Sequence, residues 1–284
     1  MSFLSKTFRY ENDLGQSITF DYDHGFLLNL PEGVDTISVS LSTAQGVGQV
    51  GATVQAKQIQ VRPITMDGKV VGSNAQDLKD KLISVVRPDV GGTLYADDWH
   101  IGVVVTSTPV IGPQKRGAPF QFGLTAPYPY WVSGSQKGSM LIGVEPAFKF
   151  PWNVSRTYRF GQKMLNKYVV ITNRGQVETP FVLTISCIGS GAENVKVENL
   201  LTGEFLLLEK TLVEGETVTI NVTHDRTYVT SSKDGDCRGA LTLESNLYRL
   251  HTGDNVWKPT ADSGLENLFM QVSYAEESGG ITVV

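Results

Sequence analysis

Hydrophobic and polar positions alternate with a period of two along much of this chain, a pattern that predicts strands. In the run 181–188, Phe181, Leu183, Ile185 and Cys187 fall on one side and Val182, Thr184 and Ser186 on the other. Near the end of the chain, Leu268, Met270, Val272 and Tyr274 oppose Phe269, Gln271 and Ser273. Residues 3–10, 17–22, 26–30, 58–65, 168–172, 195–199, 204–208, 218–222 and 228–230 read as further strands. Val34, Ile37, Val39 and Leu41 read as the inner side of a half-buried strand. Turn residues punctuate these runs at Pro31-Glu32-Gly33, Asn173-Arg174-Gly175, Thr202-Gly203, Glu214-Gly215-Glu216 and Asp234-Gly235. Asp67-Gly68, inside Met66–Lys69, predicts a hairpin turn, since Asp-Gly supplies the positive φ angles of two-residue turns. In the second half the short strands and turns recur every roughly eight to twelve residues, the cadence of a β-sandwich.

One segment breaks the period. Leu78, Leu82 and Val85 share a helical face, with Ile83 and Val86 beside it. Asn74 stands at the N-cap position, Asp77 in the first turn, and Arg87-Pro88 stops the helix. A single helix with one apolar face packs most simply on one face of a sheet. Residues 42–56 fit neither pattern. Gly46, Gly48 and Gly51 are interspersed with Val47, Val50 and Val54, and the run holds no charge. It reads either as a flexible loop or as an extension that orders against a neighbouring subunit, with Gly46, Val47, Gly48 and Val50 as the candidate contact. The small polar run Val132–Ser139 reads as a hinge, which sets domains at 1–133 and 139–284 with a linker at 134–138. The aromatic and proline-bearing run 144–160 is expected to open the second domain and pack along its surface.

Composition narrows the function. The 284 residues are 40% hydrophobic and 19% charged, enough apolar material for real cores. The net charge is −5, and the densest basic spot is Lys115-Arg116, which argues against a nucleic-acid partner. No run approaches the roughly 20 apolar residues of a membrane helix, and the start of the chain lacks a signal-peptide core. Synthesis and folding in a cytoplasm are therefore expected, with Cys187 and Cys237 reduced.

No metal or cofactor is expected. His24, His100, His224 and His251 have no Cys-x-x-Cys or His-Glu-x-x-His companions. Asp97-Asp98 reads as a turn before Trp99, since adjacent strand carboxylates point to opposite faces. Nucleophile elbows and phosphate loops are missing. Trp152, Tyr158, Tyr248 and Trp257 are candidate sugar platforms, or else core and interdomain filling.

The stretch 91–131 carries a resemblance. Gly92-Thr93-Leu94, the strand 101–105 closed by Thr108-Pro109, and Phe120-Gln121-Phe122 leading to Ala126-Pro127-Tyr128-Pro129-Tyr130-Trp131 resemble the distal tail protein (Dit) family of long-tailed phages of Gram-positive bacteria. The second half is similar to the family's C-terminal module at 173–180, 198–204 and 250–255. The resemblance implies a mainly β fold: an N-terminal β-sandwich with one packed helix and a C-terminal galectin-like or carbohydrate-module-like β-sandwich. It implies a non-enzymatic structural protein of the virion tail tip or baseplate. The N-terminal domain would form a homohexameric ring joining the tail tube protein to the tail-associated lysin or hub protein and the tape-measure end. In some phages the ring also holds receptor-binding proteins. A carbohydrate-binding adhesion module, with host cell-wall carbohydrate as partner, is the alternative.

Overall fold

The computed structural model describes residues 6–71, 74–146, 161–165, 167–246 and 249–283. The chain divides into two compact units, Met1–Gly134 with Glu277–Val284, and Ser135–Glu276. It is built almost wholly of antiparallel strands, the mainly β class that the alternation predicts.

The first unit holds β1 (Phe8–Asn12), β2 (Ser17–Phe20), β3 (Phe26–Leu28), β4 (Val39–Ala44), β5 (Thr53–Ile59), β6 (Arg62–Val70), β7 (Gly91–Ala96), β8 (Trp99–Ile111) and β9 (Ala118–Ala126). The start of β10 (Trp131–Pro146) also lies in it. Strands pair in the order β2-β1-β7-β8-β9-β6-β3. The long β8 serves two neighbours: its first residues pair with β7, and its second half pairs with β9 through two register shifts. Bulges of this kind bend a strand and let one sheet curl over its own core.

Alternation decides what enters that core. Along β9, Ala118, Phe120, Phe122, Leu124 and Ala126 are buried, and along β6 Arg62, Ile64, Met66 and Val70. Phe20, Phe26, Phe120 and Phe122 meet at its centre, with ring centroids 5.6 Å apart for Phe20–Phe26 and 5.8 Å for Phe20–Phe122. Each buried ring contributes about 1.5–3 kcal/mol by leaving water. The helix α1 (Ala75–Val85) lies on this core through Ala75, Leu82 and Val85, with Leu78 partly buried. Asn74 precedes it without a side-chain cap hydrogen bond, and Ile83 faces solvent.

The second unit holds the rest of β10 with β11 (Gly161–Leu165), β12 (Val169–Asn173), β13 (Phe181–Cys187), β14 (Ala192–Asn199), β15 (Phe205–Leu212), β16 (Thr217–Val222), β17 (Thr227–Ser231), β18 (Gly235–Asp236), β19 (Gly253–Thr260) and β20 (Leu268–Ser278). One sheet runs β18-β17-β16-β13-β20-β10, with β11 beside β10, and the other runs β12-β19-β14-β15. Their inward side chains form one core, including Phe181, Leu183, Ile185, Val197, Leu206, Ile220, Met270 and Val272. This is the sandwich that the turn spacing predicts.

Three local expectations fail. Met66–Lys69 is no turn but the middle of β6, because Gly68 is used for close approach: a Cβ there would sit 2.4 Å from the Leu27 carbonyl oxygen. Residues 134–138 are no flexible linker but part of β10, although the two units do divide there, between Gly134 and Ser135; Gly134 is small because a Cβ would sit 2.8 Å from the Asp98 carbonyl oxygen. The last residues do not stay with the second unit as a 139–284 domain would require; Ile281 and Val283 are buried in the first unit's core. The expected surface run 144–160 lies largely outside the described residues.

Candidate assembly surface

The segment 42–56 forms neither a loop nor an unstructured extension. It is the distal part of a hairpin in which β4 and β5 pair only with each other. Val39 lies opposite Ile59, Leu41 opposite Lys57, and, after a register shift, Thr43 opposite Val54. Side chains opposite each other share a face. One face therefore carries Val39, Leu41, Val54 and Ile59 together with Thr43 and Lys57, and the other carries Ser40, Ser42, Ala56 and Gln58. The apolar four are between 46% and 53% exposed, and no hairpin residue joins either core. Lys57 is the single charged residue from 39 to 59.

The tip is ordered by one glutamine. Gln49 accepts from the Gly46 amide at 3.0 Å through Oε1 and donates to Thr53 Oγ1 at 3.0 Å, and its own amide reaches the Gly46 carbonyl at 3.1 Å. Gly48 and Gly51 take the positive φ of the turn, 78° and 81°. Val47 and Val50 stand fully exposed between them. The four candidate residues Gly46, Val47, Gly48 and Val50 thus sit together at the tip. The reading from sequence missed the larger apolar face at Val39, Leu41, Val54 and Ile59. Its signal lies in the alternation of Val39 and Leu41, a pattern that does not distinguish a core from an assembly face.

The hairpin is anchored at its root. Arg62, the first residue of β6 and three positions after the end of β5, is 1% exposed. Its Nε donates to the Pro129 carbonyl at 2.7 Å, and Nη1 to those of Gly33 and Val34 at 3.0 and 2.9 Å. Nη2 donates to the Gly279 carbonyl. Burial pulls the guanidinium pKa down, while the charges of Asp35 and Tyr130 oppose that pull. The Val34 carbonyl also accepts from Trp131 Nε1 at 2.9 Å and from the Ile281 amide at 3.3 Å.

The other chemical candidates fall into structural settings. Asp97-Asp98 forms the β7–β8 turn, with Asp97 at φ 51°. His24 pairs with Asp21 at 2.6 Å in an exposed turn. Among the described residues no group of three or more His, Cys, Asp or Glu side chains could hold a metal. His251 bridges two carboxylates, Glu178 at 2.8 Å and Glu204 at 2.6 Å. Burial draws its pKa down, but the hydrogen bonds to Glu204 and Glu178 prevail and raise it. Of the candidate sugar platforms, Trp257 is buried edge-on against Phe181 at 5.0 Å, and Trp152, Tyr158 and Tyr248 lie outside the described residues.

This architecture has a solved counterpart. The SPP1 Dit protein (gp 19.1), described as a paradigm of hub adsorption apparatus in Gram-positive-infecting phages, aligns with a TM-score of 0.69 at 13% identity. The match covers 95% of this chain and 98% of that one. Residues 174–277 match the model of the siphovirus-type tail component, C-terminal domain (SPP1_Dit). Residues 174–277 thus match a siphovirus tail-component domain in sequence, and the chain as a whole shares the fold of the SPP1 Dit protein. A chain of the phage P2 baseplate, in its activated conformation with Ca, aligns with a TM-score of 0.50 at 12% identity, covering 97% of this chain and 99% of that chain. No curated protein sequence matches it. The second-half motifs of the family resemblance fall almost wholly inside the matched residues, and the mainly β fold it implies is that of the SPP1 Dit structure.

Proposed function

We propose that this tail component is a non-catalytic ring subunit at the virion tail tip. Six copies close side by side, join the tail tube protein to the tail-associated lysin or hub, and give receptor-binding proteins a scaffold. The carrying observation is the β4–β5 hairpin. A two-stranded hairpin standing alone is marginal in water. Among the described residues its strands pair with no third strand, and Val39, Leu41, Val54 and Ile59 stay about half exposed and join neither core. Burying the exposed halves of four aliphatic side chains against a neighbouring copy contributes about 3–6 kcal/mol per contact. Repeated heterologous contacts of this kind close into a ring when the rotation between copies allows it. Placing Gly46, Val47, Gly48 and Val50 at the tip gives the same contact its reach. Lys57, beside Leu41 on the same face, is the hairpin's one charge, and its long aliphatic stem can lie along the contact while its ammonium stays in water.

The test is the mass of the full chain by multi-angle light scattering over rising concentration. Leu41→Ser with Ile59→Ser, and separately deletion of 46–50, are expected to lower the oligomer mass. Both variants should keep the parent's thermal unfolding within about 0.5 kcal/mol, because the altered side chains are solvent-exposed in the monomer. An unchanged oligomer mass in both removes the hairpin from the contact.

A further inference from the structure

We propose that the C-terminal segment Glu277–Val283 is a strap that fixes the root of the β4–β5 hairpin, with Arg62 as the positioning residue between them. The proposal rests on reading the hairpin as the subunit contact. Both ends of the hairpin meet the strap. On the incoming side, the Ile281 amide donates to the Val34 carbonyl, and Gly280 lies so close to Asp35 that a Cβ would sit 2.4 Å from its carbonyl oxygen. On the outgoing side, Arg62 donates to the Gly279 carbonyl of the strap and to Gly33 and Val34 across the root. One guanidinium thus ties the strap to the segment that leads into β4 and to the start of β6, which follows β5.

The strap is itself seated. Ile281 and Val283 are 5% exposed and belong to the first unit's core. Glu277 is buried and accepts from Tyr128 Oη at 2.5 Å, and Ser278 Oγ donates to the Gly280 carbonyl at 2.6 Å. Alternate side chains enter the core while the backbone bonds to Val34. That is how an extended peptide occupies a groove. Gly280 lets the backbone pass where a side chain could not. The first unit is therefore a folded body with a groove for a seven-residue peptide, and a later segment of its own chain is the ligand.

Hydrogen exchange of the full chain, read by mass spectrometry, tests this. The reporters are the amides of Gln60, which bonds to Ser38, and of Thr65, which bonds to Glu32. In Ile281→Ala with Val283→Ala, these amides are expected to exchange at least tenfold faster. Amides of β13 and β16 in the second unit should change less than twofold. Parent-like exchange at Gln60 and Thr65 overturns the proposal. A second variant ends at Glu276, and the synthetic peptide of residues 277–284 is added in trans. Restored protection at the two reporters supports the strap, and a peptide that leaves them unprotected overturns it. Leu41→Ser with Ile59→Ser separates the two readings: it should lower oligomer mass and leave the reporters unchanged. If it leaves oligomer mass intact while the strap variants still free the root, the contact reading fails and the strap stands.

Discussion

Replacing Arg62 with methionine keeps the length of the side chain and deletes every donor. Four hydrogen bonds disappear, to Pro129, Gly33, Val34 and Gly279. The Val34 carbonyl keeps Trp131 Nε1 and the Ile281 amide. The other three carbonyls lose the guanidinium, at about 1–3 kcal/mol for each that stays buried and unpaired. Against this, a buried charge is removed whose hydrogen-bond partners are carbonyls rather than carboxylates, and release of its desolvation penalty offsets several kcal/mol. The net expectation is a loss of about 3 kcal/mol for the first unit. Arg62→Lys keeps the charge but not the planar fork, so it should fall between, at about 1–2 kcal/mol. Urea unfolding followed by hydrogen exchange resolves the units separately. The first unit should unfold at lower urea in both variants, with the second unit unmoved. A methionine variant within 0.5 kcal/mol of the parent would mean that desolvation cancels the four bonds, and the argument from Arg62 as an anchor would fall.

His251 and its two carboxylates make stability depend on pH. A raised histidine pKa adds stability that is fully present below its ordinary 6.5 and is lost as pH rises through the folded value. For Glu204, burial pushes the pKa up, but the His251 and Thr202 hydrogen bonds outweigh it and leave the pKa lowered. Its share is present above the ordinary 4.5 and is lost as pH falls through the lowered value. The second unit should therefore gain about 0.5–1 kcal/mol on going from pH 8.5 to pH 6, an amount kept small by solvent screening at a partly exposed site. Thermal unfolding of His251→Gln across this range should be flatter than the parent's, and parallel curves would refute the linkage. Gly33→Ala should cost about 2–4 kcal/mol, since φ is +83° and the new Cβ would lie 2.1 Å from the Pro63 carbonyl oxygen. Chemical denaturation checks it, and a loss under 0.5 kcal/mol would show that the turn relaxes freely.

Where one face of a strand meets a core, local alternation was enough to read it. Phe181 to Cys187 and Leu268 to Tyr274 bury the residues their period assigns. The helix was legible from Leu78, Leu82 and Val85 because only a 3.6-residue period places them together. Val39 and Leu41 have the same alternation but point to solvent, since a period of two names a face and not what covers it. Asp67-Gly68 carried turn chemistry, yet Gly68 is there to admit the Leu27 backbone, a demand set by a strand about forty residues away in sequence. Arg62 reads as an ordinary surface charge. Its partner Gly279 lies 217 positions on, and nothing local announces the meeting.

The strap has a consequence in time. A polypeptide emerges from the ribosome in order, and domains ordinarily fold as they emerge, the N-terminal one first. Here the core of the leading unit waits for Ile281 and Val283, which are translated only after the whole of Ser135–Glu276. The hairpin root of a nascent copy therefore stays unfixed while the second unit is being made.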